Sequence, residues 1–300
     1  MILHKNITEI AKDYQYFILD IWGVIHDGNR LYPDVIKRLQ YLRSLGKKIC
    51  FLSNAPRRAS KVAEVLNNFG ITKDLYDFII TSGEATYLFL QDNRINSDKL
   101  HNLVGINSKP SYSYYYIGPK KDADLLNGLG YLPSKDASKV DFVVATGFDN
   151  DFSTIEEKLP QLLEARKYNL TMICVNPDLI VVRQNGMEMI CAGLLALEYQ
   201  KIGGRVAYFG KPYNLVYEQV FKLFFIEDKT KVATKILAVG DGIETDILGA
   251  NNNNIDSALI AGGILANELG IKHGELPNLD LIQKICDKYR SYPKFLIGSL

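Results

Sequence analysis

Tyr16-Phe17-Ile18-Leu19-Asp20 is a short apolar run that ends in an acid, and Ile21-Trp22-Gly23 follows it directly. A second run of the same kind, Ile236-Leu237-Ala238-Val239-Gly240-Asp241, occurs near the other end of the chain. A short apolar strand that delivers an acid and a glycine into a turn is typical of an open parallel sheet, which carries such residues at its carboxyl edge. The two runs therefore predict one parallel sheet with acids gathered at its edge.

The acids of these two runs predict a metal site. Asp20, Asp241 and the nearby Asp246 would meet at the same edge and repel one another. A hard cation that prefers oxygen ligands would neutralise them, and Mg²⁺ is the natural choice.

Composition narrows the class of protein. The chain has 300 residues, of which 47% are hydrophobic and 23% charged, enough for one large or two modest cores. Because 35 basic residues nearly balance 34 acidic ones, we expect neither nucleic acid nor a membrane surface as a partner. No run has the length of a membrane span and the first residues do not form a secretion signal, so we expect a cytoplasmic protein. The four cysteines lack the spacing of a zinc site and are expected to be free thiols.

Apolar runs and helical periodicity alternate along the chain. Near the start they predict strands at 17–22, 48–53 and 77–81, with helices at 33–45, 57–69 and from Ser82 to Leu90. This order predicts a doubly wound parallel sheet.

A second α/β series follows the polar stretch after Gln91. It predicts strands near 114–117, 141–145 and 171–175 and helices at 122–129, 153–168 and 193–201. Gly203-Gly204 is interpreted as a hinge, after which 206–209 and 236–239 are expected to return to the first sheet. We therefore predict a core made of residues 1–93 and 206–300, and a domain inserted at residues 94–205.

Four segments occur in a characteristic order: Asp20, Leu52-Ser53-Asn54, Gly210-Lys211-Pro212, and Gly240-Asp241 through Thr245-Asp246. With this ordered set, the chain resembles the haloacid dehalogenase-like (HAD) hydrolases of class IIA, which include NagD-type, p-nitrophenyl phosphate and pyridoxal phosphate phosphatases. The resemblance implies a Rossmann-like α/β core with an inserted α/β cap domain. It also implies a Mg²⁺-dependent phosphohydrolase that acts on a small phosphorylated metabolite. The segment from Asp20 to Val24 further resembles a class IIA subgroup with the pattern Asp-x-Trp-Gly-Val.

The resemblance assigns a role to each segment. Asp20 would be the nucleophile that forms an aspartyl-phosphate, and Lys211 would supply positive charge to it. Ser53, Asn54 and Lys211 would bind the phosphoryl group. The metal ligands would be Asp20, the main-chain carbonyl of Trp22, Asp241 and Asp246.

Each of these residues also has an ordinary alternative when it is considered singly. An acid such as Asp20 is common at the end of a strand, and Ser-Asn pairs such as Ser53-Asn54 are common in turns. An acid such as Asp246 is common at the start of a helix. Only their order favours the catalytic interpretation.

The inserted domain offers three candidates for lining the substrate: Asn176, Asp178 and Arg183. Arg183 could bind an anionic group, although a solvated loop arginine is the commoner case. Asp178 is more often structural in such a turn. Caps of this class can mediate dimers, so a homodimer stays open.

Trp22 departs from the family pattern, which has an aspartate at this position as general acid. Indole cannot supply a proton, and losing a general acid typically costs about 10²–10⁴ in rate. His26 and Asp27 are the nearest replacements, although His-Asp-Gly is also good turn chemistry. Two alternatives to a general phosphohydrolase follow. One is a nearly inactive protein that binds a phosphorylated ligand, and the other is an enzyme restricted to activated acyl or aryl phosphates or to phosphoryl transfer.

Overall fold

The computed structural model of the protein describes residues 1–93, 98–105, 111–182, 188–226 and 233–300. Its strands are β1 Ile2–Asn6, β2 Tyr16–Leu19, β3 Lys48–Ser53, β4 Phe78–Thr81, β5 Ser113–Ile117, β6 Leu132–Ser134, β7 Phe142–Ala145, β8 Thr171–Cys174, β9 Ile180–Val182, β10 Glu188–Ile190, β11 Arg205–Tyr208, β12 Ile236–Gly240, β13 Asp256–Ile260 and β14 Phe295–Ser299. Its helices are α1 Val35–Ser44, α2 Ala59–Asn68, α3 Ser82–Asp92, α4 Asp98–Val104, α5 Ile155–Lys167, α6 Ala192–Lys201, α7 Asn214–Leu223, α8 Leu248–Asn252, α9 Ala266–Leu269 and α10 Leu279–Tyr289. A π-helical turn, Ile243–Ile247, leads into α8.

The first sheet has seven parallel strands in the order β1-β14-β13-β12-β2-β3-β4. Successive residues of β2 point to opposite faces: Phe17 and Leu19 join one buried cluster, and Ile18 joins another. A strand buried on both faces reads as a continuous apolar run, which is why this stretch is so apolar. The central position of β2 places its carboxyl end between those of β12 and β3.

The helix boundaries follow from local chemistry. Helix α1 buries Val35, Leu39 and Leu42 along one face. At the start of α3, the Thr81 hydroxyl accepts a hydrogen bond from the Glu84 N–H at 2.8 Å, so the cap is Thr81 and not the predicted Ser82.

The second sheet is inserted between β4 and β12. Its five parallel strands have the order β11-β8-β7-β5-β6, and buried clusters cover both of its faces. Strands β9 and β10 form a separate antiparallel pair. The predicted fold class, a doubly wound parallel sheet with an inserted α/β domain, is confirmed.

One strand was assigned to the wrong sheet from sequence. Strand β11 pairs with β8 in the inserted sheet, so the expectation that 206–209 returns to the first sheet is wrong. Gly203 has a φ of 82°, and the Gly204 N–H donates to the Tyr199 carbonyl at 2.8 Å. The glycine pair therefore forms the turn that ends α6, and it is not a hinge between domains. The domain limits otherwise stay a prediction.

The predicted helix at 122–129 is also wrong. A 3₁₀ turn, Lys120–Asp122, is followed by successive turns closed by bonds such as Leu125 N–H to the Asp122 carbonyl. Gly128 and Gly130 both have positive φ, which interrupts helical geometry. The apolar periodicity has another cause, because Leu125 and Leu126 are buried in the core of the inserted domain without forming a helix. Periodicity alone could not distinguish these cases.

Two expectations from composition can be compared with the structure. All four cysteines are buried free thiols. Among the described residues, no helix is both long and apolar enough to cross a lipid bilayer.

Candidate active site

Three carboxylates meet where β2 and β12 end. Asp20 follows β2, Asp241 follows β12, and Asp246 lies in the π-helical turn. Each offers an oxygen within 4.8 Å of the others, and the three residues are only 7%, 7% and 5% exposed. The structure thus brings together the three acids predicted as metal ligands. The predicted ligand role of the Trp22 carbonyl stays a prediction.

Lys211 joins two of these acids. Its ammonium group donates to Asp20 Oδ1 and to Asp246 Oδ1, each at 2.6 Å. The side chain is buried, and the two carboxylates raise the pKa of Lys211 above its ordinary value, so it stays protonated.

Burial disfavours the ionised form of two of these acids. Burial, opposed by Lys211, raises the pKa of Asp20 to about 7. Burial and the nearby Asp20 charge also raise the pKa of Asp241 well above its ordinary value. One ammonium cannot neutralise three carboxylates, and a set of buried oxygen donors with excess negative charge fits a hard divalent cation.

Glycines allow the chain to approach Asp241 closely. A Cβ atom would lie 1.9 Å from Asp241 Oδ2 at Gly23, which has a φ of 83°, and 2.2 Å from it at Gly263. The Ile264 N–H donates to the same oxygen at 2.7 Å. Any side chain at either glycine would displace the carboxylate.

The loop after β3 is tied to the loop that carries Lys211. Asn54 Oδ1 accepts from the Lys211 N–H at 2.7 Å and from the Ser82 hydroxyl at 3.2 Å. Its amide nitrogen donates to the Lys211 carbonyl at 3.1 Å and to Asp178 Oδ1 at 2.7 Å. The Asn54 side chain is therefore fully engaged in positioning. Ser53 ends β3, and its hydroxyl accepts from the Ala55 N–H at 3.2 Å.

The inserted domain reaches this site through the loop after β8. Asn176 Oδ1 accepts from the Asp178 N–H at 3.0 Å, which shapes the turn and directs Asp178 to Asn54. Burial raises the pKa of Asp178 to about 6. The remaining candidate, Arg183, lies outside the described residues.

Sequence reasoning did not identify Ser82 as part of this network. Ser82 starts α3 at the carboxyl end of β4, directly beside the end of β3. Its position on the neighbouring strand was the signal that could have pointed to it.

Trp22 lies in a compact turn. Its partly buried ring packs over Gly28, where a Cβ would lie 2.5 Å from the ring, and meets the His26 ring edge-on at 5.7 Å. His26 Nδ1 accepts from the Gly28 N–H at 3.0 Å, and burial lowers the pKa of His26. Asp27 Oδ1 accepts from the N–H groups of Asn29 and Arg30, at 2.9 and 3.0 Å. The two neighbours considered as replacement acids thus have turn-forming contacts.

Comparison with protein families identifies the class. The model described as haloacid dehalogenase-like hydrolase matches residues 17–131, and the model described as HAD-hydrolase-like matches residues 208–282. The two matches include all four segments on which the resemblance rests. The chain belongs to the HAD-like hydrolases, and its relatives place it in class IIA. The subgroup with Asp-x-Trp-Gly-Val stays a prediction.

Individual relatives agree with this assignment. The chain is 23% identical to an acid sugar phosphatase of Staphylococcus saprophyticus over 86% of its own length and 90% of that protein. It is 24% identical to the 5′-nucleotidase YutF of Bacillus subtilis, over 86% of this chain and 91% of the relative.

Solved structures share the whole fold. A HAD-like hydrolase from Brucella suis superposes with a TM-score of 0.77 at 27% identity, covering 98% of both chains. The p-nitrophenyl phosphatase of Archaeoglobus fulgidus has a TM-score of 0.69 at 21% identity, covering 96% of this chain and 97% of the other.

Proposed function

We propose that the protein is a Mg²⁺-dependent phosphohydrolase that acts on a small phosphorylated metabolite. The observation that carries this proposal is the buried cluster of Asp20, Asp241 and Asp246, joined by Lys211 at the carboxyl edge of the first sheet. Four relatives are named as phosphatases or nucleotidases of different small phosphate esters: an acid sugar phosphatase, a phosphoglycolate phosphatase, a 5′-nucleotidase and a 4-nitrophenylphosphatase. These names share one reaction, the hydrolysis of a phosphate ester, but differ in the substrate. We therefore propose a class of substrate and no particular compound.

Asp20 is the proposed nucleophile. A carboxylate oxygen attacks phosphorus, the bond from phosphorus to the leaving oxygen breaks, and an aspartyl-phosphate forms. Water then attacks phosphorus, which releases inorganic phosphate and restores Asp20. The hydrogen bond from Lys211 orients the nucleophile and favours its ionised form.

The phosphoryl group would be held by groups around Asp20. Ser53 offers its hydroxyl and Lys211 its charge, and Asn54 offers its main-chain N–H because its side chain is engaged elsewhere. Mg²⁺, held by Asp20, Asp241, Asp246 and the Trp22 carbonyl, would supply further positive charge to the phosphoryl oxygens. Asn176 and Asp178 would face the substrate from the inserted domain.

Trp22 favours a narrower version of this function. Without a carboxyl group at this position the leaving oxygen departs unprotonated, which a phenolate or carboxylate tolerates and an alkoxide does not. The second candidate is therefore an enzyme for activated acyl or aryl phosphates.

A substrate panel tests both versions. With Mg²⁺, we expect hydrolysis of p-nitrophenyl phosphate and acetyl phosphate, with slower hydrolysis of sugar phosphates, and loss of all activity with a chelator. The control is Asp20→Asn, which keeps the shape of the side chain and should reduce turnover by at least about 10³-fold. Activity that persists in this variant or in the chelator would contradict the proposal. Equal rates on all substrates would contradict the activated-phosphate version alone.

A further inference from the structure

A cavity lies at the carboxyl edge of the first sheet, beside β1 and β14. Its volume is about 450 Å³, and its polar lining consists of Lys5, Asn6, Arg38, His273 and Ser299. Lys5 and Asn6 come from the end of β1, Ser299 from the end of β14, and Arg38 from α1. None of the candidate active-site residues lines it. We call this cavity the basic pocket.

Within the described part of the chain, the cationic groups of the basic pocket form no ion pair. The Arg38 guanidinium donates to Ser299 Oγ at 2.7 Å. Asp34, its neighbour on the preceding turn, pairs instead with Lys37 at 3.0 Å. Among the described residues, no carboxylate lies within 4.0 Å of the charged nitrogens of Arg38 or Lys5. Two cations that line one cavity and form no ion pair there favour an anion, although Asp34 acts on Arg38 and Glu9 on Lys5 from farther away.

His273 provides an independent observation. Its Nε2 atom is buried and has no hydrogen-bond partner within the described part of the chain. The ring is fixed by stacking on Tyr32, with centroids 3.7 Å apart and planes at 5°. Burial and the nearby Arg38 lower the pKa of His273 to about 4, so the ring is neutral at pH 7 and Nε2 can carry a proton to donate. A buried polar atom without a partner is costly and uncommon, and a ligand oxygen would satisfy it once the ring or its neighbours shift to expose Nε2 to the cavity.

We propose that the basic pocket is a second binding site, for a small anion that carries a phosphate group. The planar fork of Arg38 suits two oxygens of one phosphate, and Lys5 and the Ser299 hydroxyl provide further donors around it. The cavity volume falls within the range of small-molecule sites. This site goes beyond the proposed hydrolysis, because its residues take no part in that reaction.

Titration calorimetry with inorganic phosphate in the presence of a chelator tests the proposal. In the chelator no metal attracts phosphate to the active site, where Lys211 is already paired with Asp20 and Asp246, so we expect the titration to report the basic pocket. We expect one site per chain, and at least about tenfold weaker binding in Arg38→Gln and in Lys5→Gln, since each removes a charged donor. The matched control is Lys37→Gln, which removes the same charge from the same helix outside the pocket and should leave the affinity within about twofold.

Two further variants locate the bound phosphate. Lys5 is exposed, so Lys5→Gln tests the pocket even if Arg38→Gln proves to be unstable in a thermal melt. Lys211→Ala should leave this phosphate affinity unchanged. Loss of binding in Lys211→Ala, equal binding by wild type and both pocket variants, or no binding at all would each overturn the proposal. None of these results bears on hydrolysis by the metal-loaded enzyme, which the substrate panel measures separately.

Discussion

Asp241 differs from the other two acids of the cluster because no basic residue among those described pairs with it. Lys211 donates to Asp20 and Asp246, whereas among the described residues Asp241 Oδ2 receives only the Ile264 N–H. A buried carboxylate without a counter-charge opposes folding unless it is protonated or bound to a cation. Of the three acids, Asp241 is therefore expected to destabilise the metal-free protein most, while it contributes a ligand to the metal.

Asp241→Asn separates these two effects. The amide oxygen can keep the bond from Ile264 while the unpaired charge is removed, so we expect the metal-free protein to melt about 2–4 °C higher near pH 8. Stabilisation by Mg²⁺ and turnover should both be lost. Thermal melts with and without Mg²⁺ measure this. Asp256→Asn is the contrast, because Asp256 pairs with Lys294 and its loss should lower Tm. An Asp241→Asn protein that still gains stability from Mg²⁺ would remove Asp241 from the ligand set.

Trp22→Asp tests the missing general acid. If the absent proton donor limits the rate, the new carboxyl group should raise alkyl phosphate turnover by up to about 10²–10⁴ and flatten the dependence on leaving-group pKa. The control is Trp22→Asn, because asparagine has nearly the same size as aspartate and cannot act as a general acid. Because Trp22 is only partly buried, we expect a stability loss below the roughly 3–5 kcal/mol of a fully buried ring. The impaired-acid model would be contradicted if both variants fold, both hydrolyse alkyl phosphates at the wild-type rate, and the rate does not depend on the pKa of the leaving group.

At the scale of elements, three loops from two sheets meet at Asn54. The loop after β3 carries Asn54, the loop after β11 carries Lys211, and the loop after β8 carries Asp178. The carboxyl edges of both parallel sheets therefore face one another across this hydrogen-bond network. A change in the inserted domain can reach Lys211 through a single side chain.

Asp178→Ala should disturb this network without touching the metal ligands. Loss of the acceptor frees the Asn54 amide to reorient, so we expect kcat to fall by about tenfold with Mg²⁺ affinity unchanged. Asp178→Asn keeps an acceptor oxygen and should recover most of the rate. The control is Asp124→Ala, which breaks a different contact with the core, that with Lys61 at 2.7 Å. Equal loss of kcat in Asp124→Ala would mean that general loosening of the inserted domain explains the effect.

The same elements indicate what the sequence could predict. Apolar runs ending in acids predicted the grouping of Asp20 with Asp241, because parallel strands buried on both faces bring their carboxyl ends together. The link from Asn54 to Asp178 was not predictable, because it joins residues 124 positions apart on different sheets. The misplaced β11 has a similar cause: a glycine pair predicts a turn, whereas strand pairing depends on the whole topology.

At the scale of the whole molecule, the pKa shifts link stability to pH and metal. Burial raises the pKa of Asp20 from an ordinary 3.8 to about 7 and that of Asp178 to about 6, and it raises the pKa of Asp241 as well. These three carboxyl groups therefore hold more protons in the folded metal-free protein than in the unfolded chain, whereas His26 and His273, whose pKa values burial lowers, hold fewer below about pH 6.5. The stability that the carboxyl groups contribute is present in acid and is lost as the pH rises through their folded pKa values.

We therefore expect the free energy of unfolding of the metal-free protein, and with it Tm, to fall as the pH rises from about 6.5, where the histidines no longer contribute, to about 8. The slope should be up to about 1.4 kcal/mol per pH unit for each proton released. Saturating Mg²⁺ should oppose the fall, because the metal binds the ionised carboxylates, and its stabilising effect should be largest near pH 8. Calorimetric melts in a chelator and in Mg²⁺ measure both curves. Asp241→Asn should show a shallower fall, which separates the cluster from histidines that titrate in the same range. Parallel curves for wild type and Asp241→Asn, with an Mg²⁺ effect independent of pH, would mean that the carboxylate cluster is already ionised without metal.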